Sequence, residues 1–76
     1  MSESTFTKSI QFWVDPAGIM RVAEVMEKSE FANCIVGTDD GAVVIEVDYD
    51  PCDLAQVQHI TDLQDAEAVM HYEYLN

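Results

Sequence analysis

The sequence predicts an α+β fold built from four β-strands and two α-helices in the order βαββαβ. In four short segments apolar residues alternate with polar ones, as in strands with one buried face. Between the first and second of these segments, and again between the third and fourth, apolar residues recur at helical spacing. An Asp-Pro pair stands before each helical segment, at Asp15-Pro16 and Asp50-Pro51, and such a pair is typical of a helix start.

The first strand and the first helix follow each other directly. In residues 6–14, FTKSIQFWV, alternate residues from Phe6 to Val14 are predicted to point to the core and Trp13 away from it. We expect Asp15 to cap the next helix, because a carboxylate accepts hydrogen bonds from the free N–H groups of a first turn. The helix is predicted within residues 17–30, and its apolar face comprises Ile19, Val22, Ala23 and Met26.

A hairpin is predicted next. Residues 31–37, FANCIVG, form the second strand, with the thiol of Cys34 in the core. Asp40 and Gly41 then supply the positive φ angles of a tight turn. Residues 42–49, AVVIEVDY, form the third strand, which directs alternate residues inward, namely Val43, Ile45, Val47 and Tyr49.

The second helix is predicted over residues 52–64 with Asp50 as its cap, and its looser apolar stripe comprises Leu54, Val57, Ile60 and Thr61. Residues 68–75, AVMHYEYL, form the last strand, with Val69 and Leu75 facing away from the helices. The order indicates a ferredoxin-like βαββαβ sandwich, a four-stranded antiparallel sheet with both helices on one face. Right-handed crossovers place strands one and three in the centre. Residues 1–76 are too few for a second domain.

The charge is strongly negative although the composition is that of a folded protein. Hydrophobic residues make up 49% of the chain, whereas 15 acidic residues face only 3 basic ones, for a net charge of −12. The basic residues Lys8, Arg21 and Lys28 all precede residue 29. We expect no direct binding to nucleic acid or to an anionic membrane, because affinity for phosphates comes from Lys and Arg. The expected partner is a basic protein surface, and nucleic-acid-binding proteins are among the candidates that carry one.

The predicted interaction surface is the sheet face that the helices leave open. Trp13 and Val44 share this face with carboxylates, and an aromatic residue ringed by acids is typical of an interface. The candidate partner-binding residues are Trp13, Asp39, Asp40, Glu46, Asp48, Asp50 and Glu73. Asp50 has a capping role, whereas Glu46 and Asp48 have no evident role in folding. A solvated acidic face and a homodimer, through this face or an edge strand, are the alternatives.

No pattern of catalytic or metal-ligating residues stands out. An EF-hand loop that began at Asp48 would need glycine and glutamate where Asp53 and His59 stand. Cys34 and Cys52 form no CxxC or Cys/His pattern, and no glycine-rich phosphate loop is present. We therefore expect a protein that is not an enzyme and has no cofactor. The N-terminus does not resemble a signal peptide, so we expect a cytoplasmic protein with reduced thiols.

Three functional hypotheses follow. In size, acidity and lack of a catalytic motif, the chain is similar to small phage inhibitors of host defences, including anti-CRISPR proteins, which implies a carboxylate array that mimics nucleic-acid charge. In layout it resembles stand-alone ferredoxin-like modules, namely ACT-type regulatory domains and small chaperones of signal peptides. ACT-type domains usually carry a glycine at the first strand-to-helix turn, and here that turn is DPAG, with Gly18. The third hypothesis is a housekeeping domain adapted to high salt.

Overall fold

The computed structural model describes residues 7–29, 31 and 33–75, which form a four-stranded antiparallel sheet and two α-helices. The elements are β1 (Lys8–Val14), a 3₁₀ turn (Pro16–Gly18), α1 (Ile19–Ser29), β2 (Asn33–Asp39), β3 (Ala42–Tyr49), α2 (Leu54–Asp65) and β4 (Val69–Tyr74). The strand order is β2-β3-β1-β4, so the predicted ferredoxin-like sandwich with strands one and three in the centre is confirmed. Phe6, which was predicted to begin the first strand, lies outside the described residues.

The core lies between the sheet and the helices. Phe12 and Ile10 of β1 stand opposite Ile45 and Val47 of β3, and the side chains of all four are buried. The two helices cover them with three further buried apolar residues, which are Val22, Ile60 and Leu63. The alternation of the two central strands therefore gave the correct inward faces, because one of their faces packs on the helices along nearly the whole strand.

The β2–β3 hairpin closes through the predicted two-residue turn. Asp40 has φ of 51° and Gly41 has φ of 86°, and both values lie in the left-handed region. A turn of this primed type matches the right-handed twist of the two strands that it joins.

The apolar face of each helix differs in part from the predicted one. In α1, Ala23 is exposed although it was expected on the apolar face, and Val25, which was not assigned to that face, packs against the core. The 3₁₀ turn before α1 has fewer residues per turn than an α-helix, so it changes the rotational phase at which α1 begins. In α2, Leu54 is 82% exposed and Thr61 is exposed, and Leu63 is buried in their place.

The exposure of Leu54 follows from the way in which α2 begins. The cap is Asp53, whose carboxylate accepts hydrogen bonds from the N–H groups of Ala55 and Gln56 at 3.0 and 3.3 Å. Asp50, the predicted cap, instead accepts a hydrogen bond of 2.8 Å from the N–H of Cys52 within the preceding turn. The second Asp-Pro pair is thus a turn ahead of the helix, whereas Asp15 does cap the 3₁₀ turn that leads into α1.

Both edge strands depart from the predicted burial. Every residue of β2 is exposed, so Cys34 is an exposed thiol and not a core residue. The helices do not extend over this edge, and alternation alone does not show how far a covering layer reaches. In β4 the register with β1 shifts by one residue next to Val14, at Met70, so Val69 turns inward and packs on the core. Such a bulge reverses the faces on either side of it.

Among the described residues, neither helix is long and apolar enough to cross a bilayer.

Candidate partner-binding face

The side of the sheet opposite the helices, here called the open face, carries the side chains that alternate with the core residues. Cross-strand pairing fixes its membership, because residues paired across antiparallel strands point to the same side. Trp13 pairs with Val44 on one side and with His71 on the other, and Gln11 pairs with Glu46 and Glu73. Along β2 the open face continues through Asn33, Ile35, Gly37 and Asp39.

Trp13 is held in place at one end of this face. Its indole Nε1 donates a hydrogen bond of 3.2 Å to Oδ2 of Asp39, two strands away. On its other side the ring centroid of Trp13 lies 5.1 Å from that of His71, with the planes tilted by 47°. Val44, directly opposite Trp13, is only 9% exposed, although it was predicted to be an exposed member of this face. The large indole ring shields a neighbour of this size.

A shallow groove runs between Trp13 and the middle of the sheet. Trp13, Ile35 and Val44 line it with apolar groups, and Asp39 and Glu46 bring carboxylates to it. Its remaining lining residues are Gln11, Gly37 and Thr38. An apolar floor with negative charge beside it suits the stem and head group of a Lys or Arg side chain.

Asp48 has a structural role that the sequence did not reveal. Its carboxylate accepts hydrogen bonds from the hydroxyl of Ser9 on β1 and, at 2.9 Å, from Nδ2 of Asn33 on β2. It therefore ties both neighbouring strands to β3. The hydrogen bond from Ser9, followed by that from Asn33, lowers the pKa of Asp48 below its ordinary value, because both favour the charged form. The expectation that Asp48 is free of any role in folding was wrong.

Protonation of Asp48 is expected to destabilise the fold. Since the folded-state pKa is lowered, its contribution is fully present above the unfolded-state pKa, near 3.8, and is lost as the pH falls through the lower folded-state value. The difference in unfolding free energy between wild type and Asp48→Asn should shrink as the pH drops below about 4. Urea titrations of both proteins from neutral to acidic pH measure this difference. Both proteins lose charge repulsion in the same way as carboxylates are protonated, so that effect cancels when the two are subtracted. A difference that stays constant down to the lowest pH would contradict the role of the charged carboxylate.

The four remaining candidate residues differ in their surroundings. Within the described parts of the chain, the carboxylate of Glu46 has no hydrogen-bond or ion-pair partner, so it is available to a ligand. Glu73 lies on the same face with Oε2 at 3.1 Å from Nε2 of His71. Asp40 lies in the hairpin turn at the end of the face, next to Asp39. Asp50 belongs to the turn before α2 and does not extend the row that Glu46 and Asp48 begin.

The charge of the open face is of one sign. Lys8 shares the side of β1 that Ile10 and Phe12 occupy, and Arg21 and Lys28 lie on α1. The described part of the open face therefore carries carboxylates and one histidine but neither Lys nor Arg. In the same part of the chain, no group of three or more His, Cys, Asp or Glu side chains is arranged to hold a metal ion.

Sequence reasoning missed the partners that give the face its shape. His71, Gln11 and Ile35 were assigned no function, although strand alternation already placed His71 beside Glu73. Ile35 could be identified only from the pairing of β2 with β3, which sets it opposite Glu46. A strand's own pattern does not show which residues of its neighbours complete a groove.

Gly18 lies at the first strand-to-helix turn, where ACT-type domains usually carry a glycine. A Cβ atom at this position would lie 2.3 Å from Cβ of Ala68, so the glycine permits close packing of two chain segments. The same segments are joined by a hydrogen bond of 2.8 Å from the N–H of Asp15 to the carbonyl of Ala68. Packing between the 3₁₀ turn that follows β1 and the α2–β4 connection is thus sufficient reason for a glycine here.

Comparison with known proteins shows the fold. No family model matches the chain, and none of the curated proteins is significantly similar to it in sequence. Among solved structures, the chain is similar to the solution NMR structure of the ACT domain from GTP pyrophosphokinase of Chlorobium tepidum. The TM-score is 0.69 with 14% sequence identity, and the match covers 93% of this chain and 86% of that domain.

Proposed function

We propose that this chain is a ferredoxin-like module that acts by binding, in the manner of a regulatory domain, and that its open face receives a basic segment of another protein. The observation that carries the proposal is Trp13, which is held by Asp39 beside a groove of mixed apolar and polar lining, with the unpaired carboxylate of Glu46 on its border. An aromatic anchor surrounded by charges of one sign is the usual composition of a binding surface.

The fold supports the regulatory part of the proposal. ACT domains are ferredoxin-like regulatory modules, and the similar domain of known structure comes from a GTP pyrophosphokinase. At 14% identity this likeness transfers no residue or ligand, so the class of partner rests on the charge and shape of the open face. We further propose that the protein catalyses no reaction.

Mimicry of nucleic acid is the less supported alternative. The comparisons offer no relative among inhibitors of host defences. The carboxylate row is also shorter than expected, because Asp48 is engaged by Ser9 and Asn33 and Asp50 belongs to a turn. A surface with few free carboxylates and a groove partly lined by apolar residues fits a peptide better than it fits a site shaped for regularly spaced phosphates.

Binding of a short extended peptide with alternating Lys and Thr residues tests the proposal. Trp13 is the one tryptophan of the chain, so its fluorescence reports directly on the groove. We expect wild type to bind the peptide at low salt and to lose affinity as salt screens the charges. Glu46→Lys should weaken binding by roughly tenfold or more, because it places a like charge against the ligand.

Glu24→Lys is the matched control. It makes the same charge change on α1, away from the open face, and should alter affinity only slightly. A peptide with Glu in place of Lys controls for the ligand. Equal losses of peptide affinity in Glu46→Lys and Glu24→Lys would show that only the net charge attracts the peptide. If wild type does not bind the peptide, the proposed role of the open face is refuted.

A further inference from the structure

The β2 edge of the sheet lacks the features that normally keep an exposed edge from pairing. Residues 33–38, NCIVGT, contain no charged residue and no proline, and every residue of the strand is exposed. Ile35 and Val36 are 61% and 64% exposed on opposite sides of the strand. The β4 edge is different, since a bulge at Met70 interrupts it and His71 and Glu73 follow.

We infer that β2 pairs with β2 of a second copy of this chain, in antiparallel orientation about a two-fold axis normal to the sheet. Such pairing would join two four-stranded sheets into one of eight strands, with all four helices on the same side. The β2 edge adjoins the groove beside Trp13, since Ile35 and Gly37 also line that groove, but the inference does not depend on the proposed function.

The register that best fits the side chains has Val36 on the two-fold axis. Ile35 of one copy then stands opposite Gly37 of the other, and a Cβ built at Gly37 has no atom within 4 Å. A large side chain thus meets open space. At the end of the strand Asn33 stands opposite Asp39, so an amide donor meets a carboxylate instead of a like charge.

The adjacent register, centred on Ile35, is less favourable. It would set Asn33 opposite Gly37 and would bring Asp39 next to Phe31, where a carboxylate has no donor on the facing strand. Registers in which the two-fold axis lies between two residues, and not on one, are excluded. They would place inward-facing residues opposite outward-facing ones. The register centred on Val36 pairs Ile35 with Gly37 and Asn33 with Asp39, and this self-complementarity favours a second copy over an unrelated strand.

Analytical ultracentrifugation of wild type over a range of concentrations tests this pairing. We expect a monomer–dimer equilibrium that strengthens with salt, since each chain has a net charge of −12. Val36→Lys places two like charges against each other at the axis and should weaken the dimer by roughly tenfold or more. Met70→Lys is the matched control on the other edge, where the replaced side chain is 58% exposed, and should leave the dimer intact.

Disulfide trapping tests the register. Thr38→Cys in a Cys52→Ser background puts two thiols on each strand, with Cys34 of one copy directly opposite position 38 of the other. Cross-strand Cα distances of about 4.5–5.5 Å allow a disulfide, whereas positions 34 and 38 of one strand lie about 13 Å apart and cannot be bridged. Oxidised glutathione should therefore yield a covalent dimer. The same background with Ala17→Cys, at the turn before α1, should yield little.

Three outcomes would overturn the inference. Wild type that stays monomeric at high concentration in molar salt excludes the dimer. Equal weakening by Val36→Lys and Met70→Lys excludes β2 as its site. A dimer that resists trapping through position 38 excludes this register. Circular dichroism of each variant confirms that a lost dimer is not a lost fold, and peptide binding by a monomeric Val36→Lys would leave the proposed function standing.

Discussion

Gly18→Ala is expected to lower the free energy of unfolding by about 1–3 kcal/mol. The added methyl group would lie 2.3 Å from Cβ of Ala68, a separation that real atoms do not tolerate, so α1 or the α2–β4 connection must shift. A domain of 76 residues has a total stability of about 4–11 kcal/mol, so the loss is a substantial share of it. Urea unfolding followed by circular dichroism measures the loss.

Ala68→Gly provides the control for this expectation. Combined with Gly18→Ala it removes the atom that the new methyl group meets, so the double variant should recover most of the stability lost by Gly18→Ala. Strictly additive losses in the double-mutant cycle would show that the two positions do not interact. In that case close packing would not explain the glycine, and a ligand bound near the β1–α1 turn would be the next explanation to test.

Thermal stability is expected to rise strongly with salt. Fifteen acidic residues face three basic ones, and at about 0.01 M salt their repulsion extends over roughly 30 Å, beyond the width of the domain. Raising the salt to about 1 M confines this repulsion to roughly 3 Å. We expect the melting temperature to increase by about 5–15 °C over this range, which corresponds to about 1–3 kcal/mol for a domain of this size.

The salt series also tests adaptation to high salt. NaCl and KCl should act equally if screening is the cause, and the dependence should diminish near pH 4, where carboxylates begin to protonate. The same salt series with Val36→Lys, the variant in which the dimer is expected to be weakened, separates charge screening from dimer formation. A domain that folds only in molar salt would support the haloadapted hypothesis, whereas a melting temperature independent of salt would show that the acids are spaced too widely to repel.

Much of the candidate site was accessible from the pattern of β3. Alternation placed Glu46 on the open face, because Val43, Ile45 and Val47 are required by the core. The role of Asp48 was not accessible in this way. Its two donors, Ser9 and Asn33, are 39 and 15 residues distant along the chain and become neighbours only through strand pairing.

The sequence by itself determined the order of the elements, the central position of β1 and β3, the hairpin turn at Asp40-Gly41 and the negative charge. These features depend on local periodicity, on turn chemistry and on composition, which are properties of short segments. Tertiary structure decided which residues at the periphery are buried. The bulge at Met70 turned Val69 inward, and the limited reach of the helices left Cys34 and Val36 exposed. Burial at the periphery depends on how far the helices cover the sheet, and the sequence of a single segment does not show this.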